Sequence, residues 1–190
     1  MSETGQKTDL LLYLQQARDA LLWKLEGLSE YDVRRPLTPT GTNLLGLVKH
    51  ATMVELGYLC DVFGRPHDVP MPDPDEDLYA TADESRELVV DCYRRAWAHA
   101  DASVRELPLG TVGSVPWWQE GKRETTLHHL LVRVLGDTQR HAGHADILRE
   151  GLDGAVGWRA DNDSLPSRDP AYWRGYHDRL QSLAEQVRDA

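Results

Sequence analysis

The sequence contains no long hydrophobic run and no excess of basic residues. No stretch reaches the roughly 18 apolar residues that a helix needs to span a bilayer. Residues 1–8 are polar and no hydrophobic segment follows them, so no secretory signal is predicted. Lysine and arginine number 21 against 31 acidic residues, and the formal net charge of −10 disfavours a nucleic-acid partner. We therefore expect a cytoplasmic protein that binds neither membranes nor nucleic acids.

Cysteine is also scarce, because the chain has only two, Cys60 and Cys92. Both fall in segments with helical patterning, on faces that are mostly apolar. Cysteines of this kind are typically free and buried when the protein has no secretory context. We expect both thiols to be reduced, while the sequence alone leaves a disulfide between them open.

Sustained alternation of apolar and polar residues, the pattern of a half-buried strand, is absent. Apolar residues recur instead at steps of three and four, which is typical of amphipathic helices. Thr8 and Thr42 are predicted to cap the first two helices, and Ser29 with Asp32 predicts a short capped turn between them. The predicted helices cover residues 8–28, 42–63, 82–107 and 125–150, with a fifth, terminal helix at 170–188.

The segments between these helices are rich in residues that interrupt regular structure. Residues 64–82 hold four prolines and many acids, and residues 108–123 hold three glycines and the pair Trp117-Trp118. Long connections in compact domains are often functional. Gly151 and Gly154 are expected to stop the fourth helix. The pattern predicts one all-α domain, residues 1–190, built as a four-helix bundle with an additional C-terminal helix.

Three ionisable residues interrupt one apolar row of the fourth helix. Asp137 and His141 lie one helical turn apart, and His144 follows three residues later on the same face. Such groups are costly on a core-facing row unless something pairs with them. Carboxylate and imidazole at this spacing are also what a divalent metal binds on one helix. The full row is Leu127, Leu130, Val134, Asp137, His141, His144 and Leu148.

A metal bound by this pair needs a ligand from another helix, and His50 is the best candidate. It lies on the flank of the second helix, beside the apolar face, where it can point into a cleft of the bundle. His50, Asp137 and His141 would supply two imidazoles and a carboxylate. This set suits Zn²⁺ best, and also Ni²⁺, Fe²⁺ or Mn²⁺, with a position open for water or substrate. His144 is expected to support these ligands or to line the cleft.

These residues also have purely structural interpretations. A histidine on an apolar face, such as His50, is often a satisfied core residue. Asp137 and His141 can form an ion pair or hydrogen bond within their helix. His99 on the third helix can line the cleft, and the two tryptophans can either cover it or simply pack.

Several motifs occur together between residue 8 and about residue 175, and their combination is specific although no single one is. They are GTNLLGLVKH at residues 41–50, LPL through VPWW at 107–118, TLHHLLV at 126–132, RHAGHADILRE at 140–150 and LDGAV at 152–156. On these motifs the chain resembles the DinB-like superfamily, in particular its branch of mycothiol-transferase-like proteins.

The resemblance implies a DinB-type bundle in up-down-down-up order with a long crossover, and a divalent metal held by three side chains. The first ligand of the family, a histidine near the middle of helix 2, matches His50. The other two lie on the fourth long helix at i and i+4, the second followed two residues later by glycine, and they match Asp137 and His141. The first of this pair is usually His or Glu in the family, whereas here it is Asp, one methylene shorter than Glu.

The activity implied by the resemblance is transfer of a low-molecular-weight thiol such as mycothiol, which the metal activates as thiolate. A bound cation lowers the pKa of a coordinated thiol, so no protein nucleophile is needed. Two alternatives stay open. One is a metal-dependent hydrolase that uses metal-bound hydroxide, and the other is a non-catalytic stress-response or binding bundle. The partner is expected to be a small molecule, and a homodimer is possible, as in some relatives.

Overall fold

The computed structural model describes residues 2–73 and 75–188, and its regular secondary structure is helical apart from one short hairpin. The all-α prediction is confirmed, and the hairpin lies around the 108–123 connection, where β1 and β2 pair antiparallel. The elements in chain order are α1 (Glu3–Trp23), α2 (Glu30–Arg34), α3 (Leu44–Leu59), a 3₁₀ turn (Asp61–Phe63), α4 (Arg86–Glu106), β1 (Val112–Ser114), β2 (Glu124–Thr126), α5 (Leu127–Asp153) and α6 (Pro170–Glu185).

Two predicted helix caps are wrong by a few residues. Ser2, not Thr8, caps α1, and the Thr8 hydroxyl instead donates to the Thr4 carbonyl inside the helix, at 2.9 Å. Asn43, not Thr42, caps α3, because its side-chain oxygen accepts the Gly46 N–H at 2.8 Å. Asparagine at this position satisfies a backbone donor that the helix leaves without a partner.

The predicted turn at Ser29 and the end of the fourth helix are largely confirmed. Ser29 caps the short α2 by accepting the Asp32 N–H at 3.1 Å. α5 ends at Gly154, whose φ of 77° lies in the left-handed region that glycine adopts without strain. Gly151 does not stop the helix, since it lies within α5.

The residues that meet along α1 and α5 show that these helices run in the same direction. Near their middles, the Gln139 side-chain amide donates to the Tyr13 carbonyl at 3.5 Å. Further along both helices, the Arg149 guanidinium donates to the Lys24 carbonyl at 2.9 Å. The residue numbers of the contacts increase together, so the two helices are parallel.

α3 and α4 are also parallel to each other. At the start of α3, Lys49 pairs with Glu84, just before α4, at 2.8 Å. At its end, the Cys60 sulfur lies 3.7 Å from the Ser103 hydroxyl near the end of α4. Two parallel neighbours need a long connection. Residues 64–85 provide it, as the crossover implied by the resemblance.

α3 and α5 run in opposite directions, which fixes the order of the bundle. The ring centroids of His50 and His141 are 4.9 Å apart, and two turns later on α3 the Arg133 guanidinium lies over the Tyr58 ring. The four long helices are therefore arranged up-down-down-up. The face that α3 turns towards α5 carries the candidate metal ligands.

A buried charge network joins three of these helices. Arg18 of α1 donates to both carboxylate oxygens of Glu55 on α3, at 3.0 and 2.6 Å, and both side chains are fully buried. The same guanidinium reaches Asp101 of α4 at 2.9 Å. Buried charges are tolerated when they are paired and hydrogen-bonded, as here.

The remaining predictions of the fold concern the cysteines and the C-terminal helix. Cys60 and Cys92 are free thiols, as expected. α6 has no buried residue, and the contacts that define the bundle are made by the other helices. The single domain over residues 1–190 stays a prediction. No helix of the residues described has the length and apolar character required to cross a membrane.

Candidate metal centre

The structure brings His50, Asp137 and His141 together between α3 and α5. Each offers one ligand atom, and these atoms all lie within 4.8 Å of one another. Oδ2 of Asp137 is 3.5 Å from Nε2 of His141 and 3.9 Å from Nε2 of His50. The trio therefore presents two imidazole nitrogens and one carboxylate oxygen to a common point.

α5 turns Asp137 and His141 towards a cleft, not into the core. The predicted apolar row is buried as far as Val134, but the buried face then passes to Thr138 and Ala142. A row spaced at 3.5 residues drifts by about 20° per heptad around a straight helix of 3.6 residues per turn. Asp137 and His141 are consequently half-buried, and the next residue of the row, His144, is exposed. This rotation lets the charged groups reach α3 without entering the core.

A residue that sequence reasoning missed orients His50. The carboxylate of Asp77 lies 2.5 Å from Nδ1 of His50 and its side chain is only 7% exposed. A carboxylate that accepts the Nδ1 proton directs the Nε2 lone pair outwards, as is usual for metal-binding histidines. Here that nitrogen faces Asp137. Asp77 is one of five acids between residues 64 and 82, and nothing in its spacing distinguishes it.

The loop that carries Asp77 is held tightly on α3. The Asn43 side-chain amide donates to the Leu78 carbonyl at 3.1 Å, and Lys49 donates to the Tyr79 carbonyl at 3.1 Å. Gly46 lies directly beneath, and a Cβ there would overlap the Leu78 carbonyl. Glycine therefore allows the backbone next to Asp77 to approach α3 one turn before His50.

The donor set has the chemical character of a cation site. Oδ2 of Asp137 is buried and has no hydrogen-bond partner in the described part of the chain. Burial lowers the pKa of His141, with the Asp137 charge opposing this shift, and a lowered pKa favours the neutral imidazole that a metal binds. Ligands of a tetrahedral zinc ion lie about 3.4 Å apart at bond lengths of about 2.1 Å. The two separations that involve Asp137, 3.5 and 3.9 Å, are close to this value, and all three ligand atoms lie within 4.8 Å, so the shorter aspartate still reaches both histidines.

A cavity of about 180 Å³ opens beside the cluster, at the N-terminal end of α3. His141 and His144 form its wall on α5, as expected of a cleft-lining His144. The opposite side combines the polar residues that precede α3 with the apolar side chains of Leu47 and Leu78. A small polar molecule in this cavity can thus reach His141.

Neither cysteine is suited to act as a nucleophile. Burial raises the pKa of the Cys60 thiol to about 11, and burial also raises the pKa of Cys92. Both thiols are therefore protonated near neutral pH and poorly reactive. His99 does not join the cluster, because it lies 3.0 Å from Asp68 in a surface pair.

The arrangement of the helices and the placement of these three side chains define a DinB-like bundle. A search among curated proteins found no match. The family model of mycothiol-S-transferase matches residues 9–154, more than three quarters of the chain. The chain belongs to this family. The match ends at the last turn of α5, so α6 and the segment before it lie beyond it.

Proposed function

We propose that this protein is a metal-dependent S-transferase that joins mycothiol, or a similar low-molecular-weight thiol, to an electrophilic small molecule. The observation that carries the proposal is the convergence of His50, Asp137 and His141 in a chain of the mycothiol-S-transferase family. Zn²⁺ is the cation that two imidazoles and a carboxylate fit best.

A divalent cation held by these side chains would lower the pKa of a coordinated thiol and favour the thiolate. The sulfur then forms a bond to an electrophilic carbon of the second substrate. The bond from that carbon to its leaving group breaks, and the leaving group departs with the electron pair. The thiol proton passes to solvent through the cavity beside His141.

The residues of the chain supply position and charge. Asp77 accepts a hydrogen bond from Nδ1 of His50 and so holds Nε2 towards the centre. Asp137 would contribute one carboxylate charge, and His50 and His141 one ring nitrogen each, to hold a divalent cation. The high pKa of Cys60 supports an external thiol as the nucleophile, since the protein's own buried thiol stays protonated.

The test begins with protein purified without chelator. Its content of zinc, nickel, iron and manganese is measured by mass spectrometry, and thiol conjugation to a chromogenic haloarene is then followed with and without mycothiol. We expect close to one metal per chain and a mycothiol-dependent reaction that chelation abolishes. For the ligand variant His141→Ala, His128→Ala is the matched control, because this histidine is exposed at the start of α5.

The two alternatives predict other outcomes of the same experiment. A hydrolase would cleave an ester or amide probe without added thiol and would lose this activity on chelation. A binding bundle would show neither reaction at any metal content. Either result would contradict the proposed transferase.

A further inference from the structure

Aromatic side chains and one arginine form a second cluster on the α3–α5 face that carries the metal ligands. We call it the aromatic subsite and define it as Tyr58, Trp117, Trp118 and Arg133. Tyr58 lies two helical turns after His50 on α3, a rise of about 12 Å. Arg133 lies one turn before Asp137 on α5, a rise of about 6 Å. Because the helices are antiparallel, both lie beyond the metal ligands in the same direction, away from the 180 Å³ cavity.

Tyr58 holds the connection between β1 and β2 against the helices. The indole N–H groups of Trp117 and Trp118 both donate to the Tyr58 hydroxyl, each at 3.2 Å. Trp117 also lies over Gly57, since a Cβ there would meet its ring at 3.5 Å. Trp117 is nevertheless 55% exposed. A large aromatic ring that is fixed in place and open to solvent is suited to stacking a ligand.

Arg133 supplies a positive charge without an acidic partner. Its guanidinium carbon lies 5.2 Å from the centre of the Tyr58 ring and 5.5 Å from that of Trp118. Among residues 2–73 and 75–188, no carboxylate oxygen lies within 4.0 Å of a guanidinium nitrogen of Arg133. Most of the other arginines in these ranges form salt bridges. Two aromatic faces thus restrict a guanidinium whose planar N–H groups can bind a carboxylate in a bidentate manner.

The Tyr58 hydroxyl responds to the same surroundings. Burial is the largest influence and raises the pKa of Tyr58, but the hydrogen bonds from both indoles and the nearby positive charge of Arg133 lower it below its ordinary value. The surroundings of the Tyr58 hydroxyl therefore favour negative charge on an oxygen atom.

We propose that the aromatic subsite binds the electrophilic co-substrate of the transferase, and that this co-substrate is an aromatic or other planar molecule bearing a carboxylate. The carboxylate lies on Arg133 and the planar body on the exposed face of Trp117. The reactive carbon then points along the α3–α5 face towards His50 and Asp137. The inference rests on the proposed function, and it adds the class of substrate and the side from which it enters.

Binding can be tested without any reaction. 4-Methylbenzoate and its neutral amide are titrated into the metal-loaded protein, and quenching of tryptophan fluorescence is followed. We expect the carboxylate to bind at least tenfold more tightly than the amide. Arg133→Met keeps an unbranched stem but removes the charge, and it should abolish this preference. Arg94→Met is the control, because Arg94 is exposed on α4, and it should keep the preference.

The kinetic test uses 4-(bromomethyl)benzoate and its amide as alkylating probes with mycothiol. The sulfur displaces bromide, which leaves with the bonding electrons while the thiol proton enters solvent. Arg133→Met should raise KM for the carboxylate about tenfold and leave kcat and the amide reaction nearly unchanged. Trp117→Ala should raise KM for both probes, and circular-dichroism melts establish that each variant is folded.

Failure of the subsite is distinguishable from failure of the proposed function. Equal affinity of the wild type for 4-methylbenzoate and its amide, or equal effects of Arg133→Met and Arg94→Met, would overturn the subsite. Selective binding of 4-methylbenzoate without any conjugation would retain the subsite and contradict the transferase. If Arg133→Met does not fold, the wild-type titration is repeated after removal of the metal, and equal affinity for the two probes there would overturn the subsite.

Discussion

Asp77 and His50 form a hydrogen bond of 2.5 Å between the crossover loop and the middle of α3. The Asp77 side chain is nearly buried, whereas the other acids between residues 64 and 82 are exposed. The bond sets which nitrogen of His50 faces Asp137, and it brings a second negative charge close to the candidate centre. A loop residue thus completes a site whose other members all lie on helices.

Replacing Asp77 should weaken metal binding without unfolding the protein. In Asp77→Asn the residue keeps its size but loses the charge that polarises the His50 ring. Loss of such a supporting partner typically lowers metal affinity by about 10–100-fold. The measurement is competition for Zn²⁺ against a chromogenic chelator. Asp75→Asn is the matched control in the same loop, and equal affinities of the two variants would contradict the role of Asp77.

Gly46→Ala should cause a similar loss of zinc affinity, although residue 46 is not one of the candidate ligands. The added methyl group would overlap the Leu78 carbonyl, so the loop must move away from α3 and carry Asp77 with it. We expect a weaker metal site and a lower melting temperature. Gly151→Ala provides the comparison, because a Cβ there meets nothing within 4 Å, and alanine should stabilise this helical position by about 0.5–1 kcal/mol. Unchanged zinc affinity in Gly46→Ala would show that the loop does not depend on this approach.

The buried pair of Arg18 and Glu55 should be sensitive to loss of one partner. Glu55→Ala leaves the fully buried guanidinium with Asp101 as its only carboxylate, and removing one member of a buried pair typically costs about 3–5 kcal/mol. The free energy of unfolding is measured by urea titration. Arg18→Met combined with Glu55→Leu should recover much of this loss, since no charge is then left unpaired. A single variant as stable as the wild type would show that Asp101 suffices.

The helices could be predicted from sequence because each buries one face, and burial leaves a repeat of 3.6 residues in the chain. The same repeat located Asp137 and His141. The repeat wrongly predicted that their whole row faces the core. The drift around the helix turns the second half of the row out of the core. The caps predicted for α1 and α3 were wrong by six residues and by one, since several serine, threonine and asparagine residues near each of these helix starts can serve.

The parts of the site that depend on contacts far apart in sequence could not be read from local patterns. Asp77 lies in a loop with four other acids, and only the packing of Leu78 on Gly46 selects it. Nothing in the sequence links the Tyr58 hydroxyl to Trp117, 59 residues away. His50 was proposed from its place on the flank of the second helix, and the family resemblance then supported it, because a single histidine there has no distinctive spacing.

His141→Ala should abolish stoichiometric metal binding and leave a folded bundle. Two ligands remain, but they lie on different helices and no longer form a three-atom chelate. The substitution also strands Asp137, which costs about 1–3 kcal/mol unless its carboxylate becomes protonated. A domain with roughly 5–15 kcal/mol of stability survives such a loss. Metal content is measured by mass spectrometry alongside a circular-dichroism melt, with His128→Ala as the control. Retained stoichiometric metal would exclude His141 as a ligand, whereas global unfolding of the variant together with a metal-free wild type would identify the histidine as a structural residue.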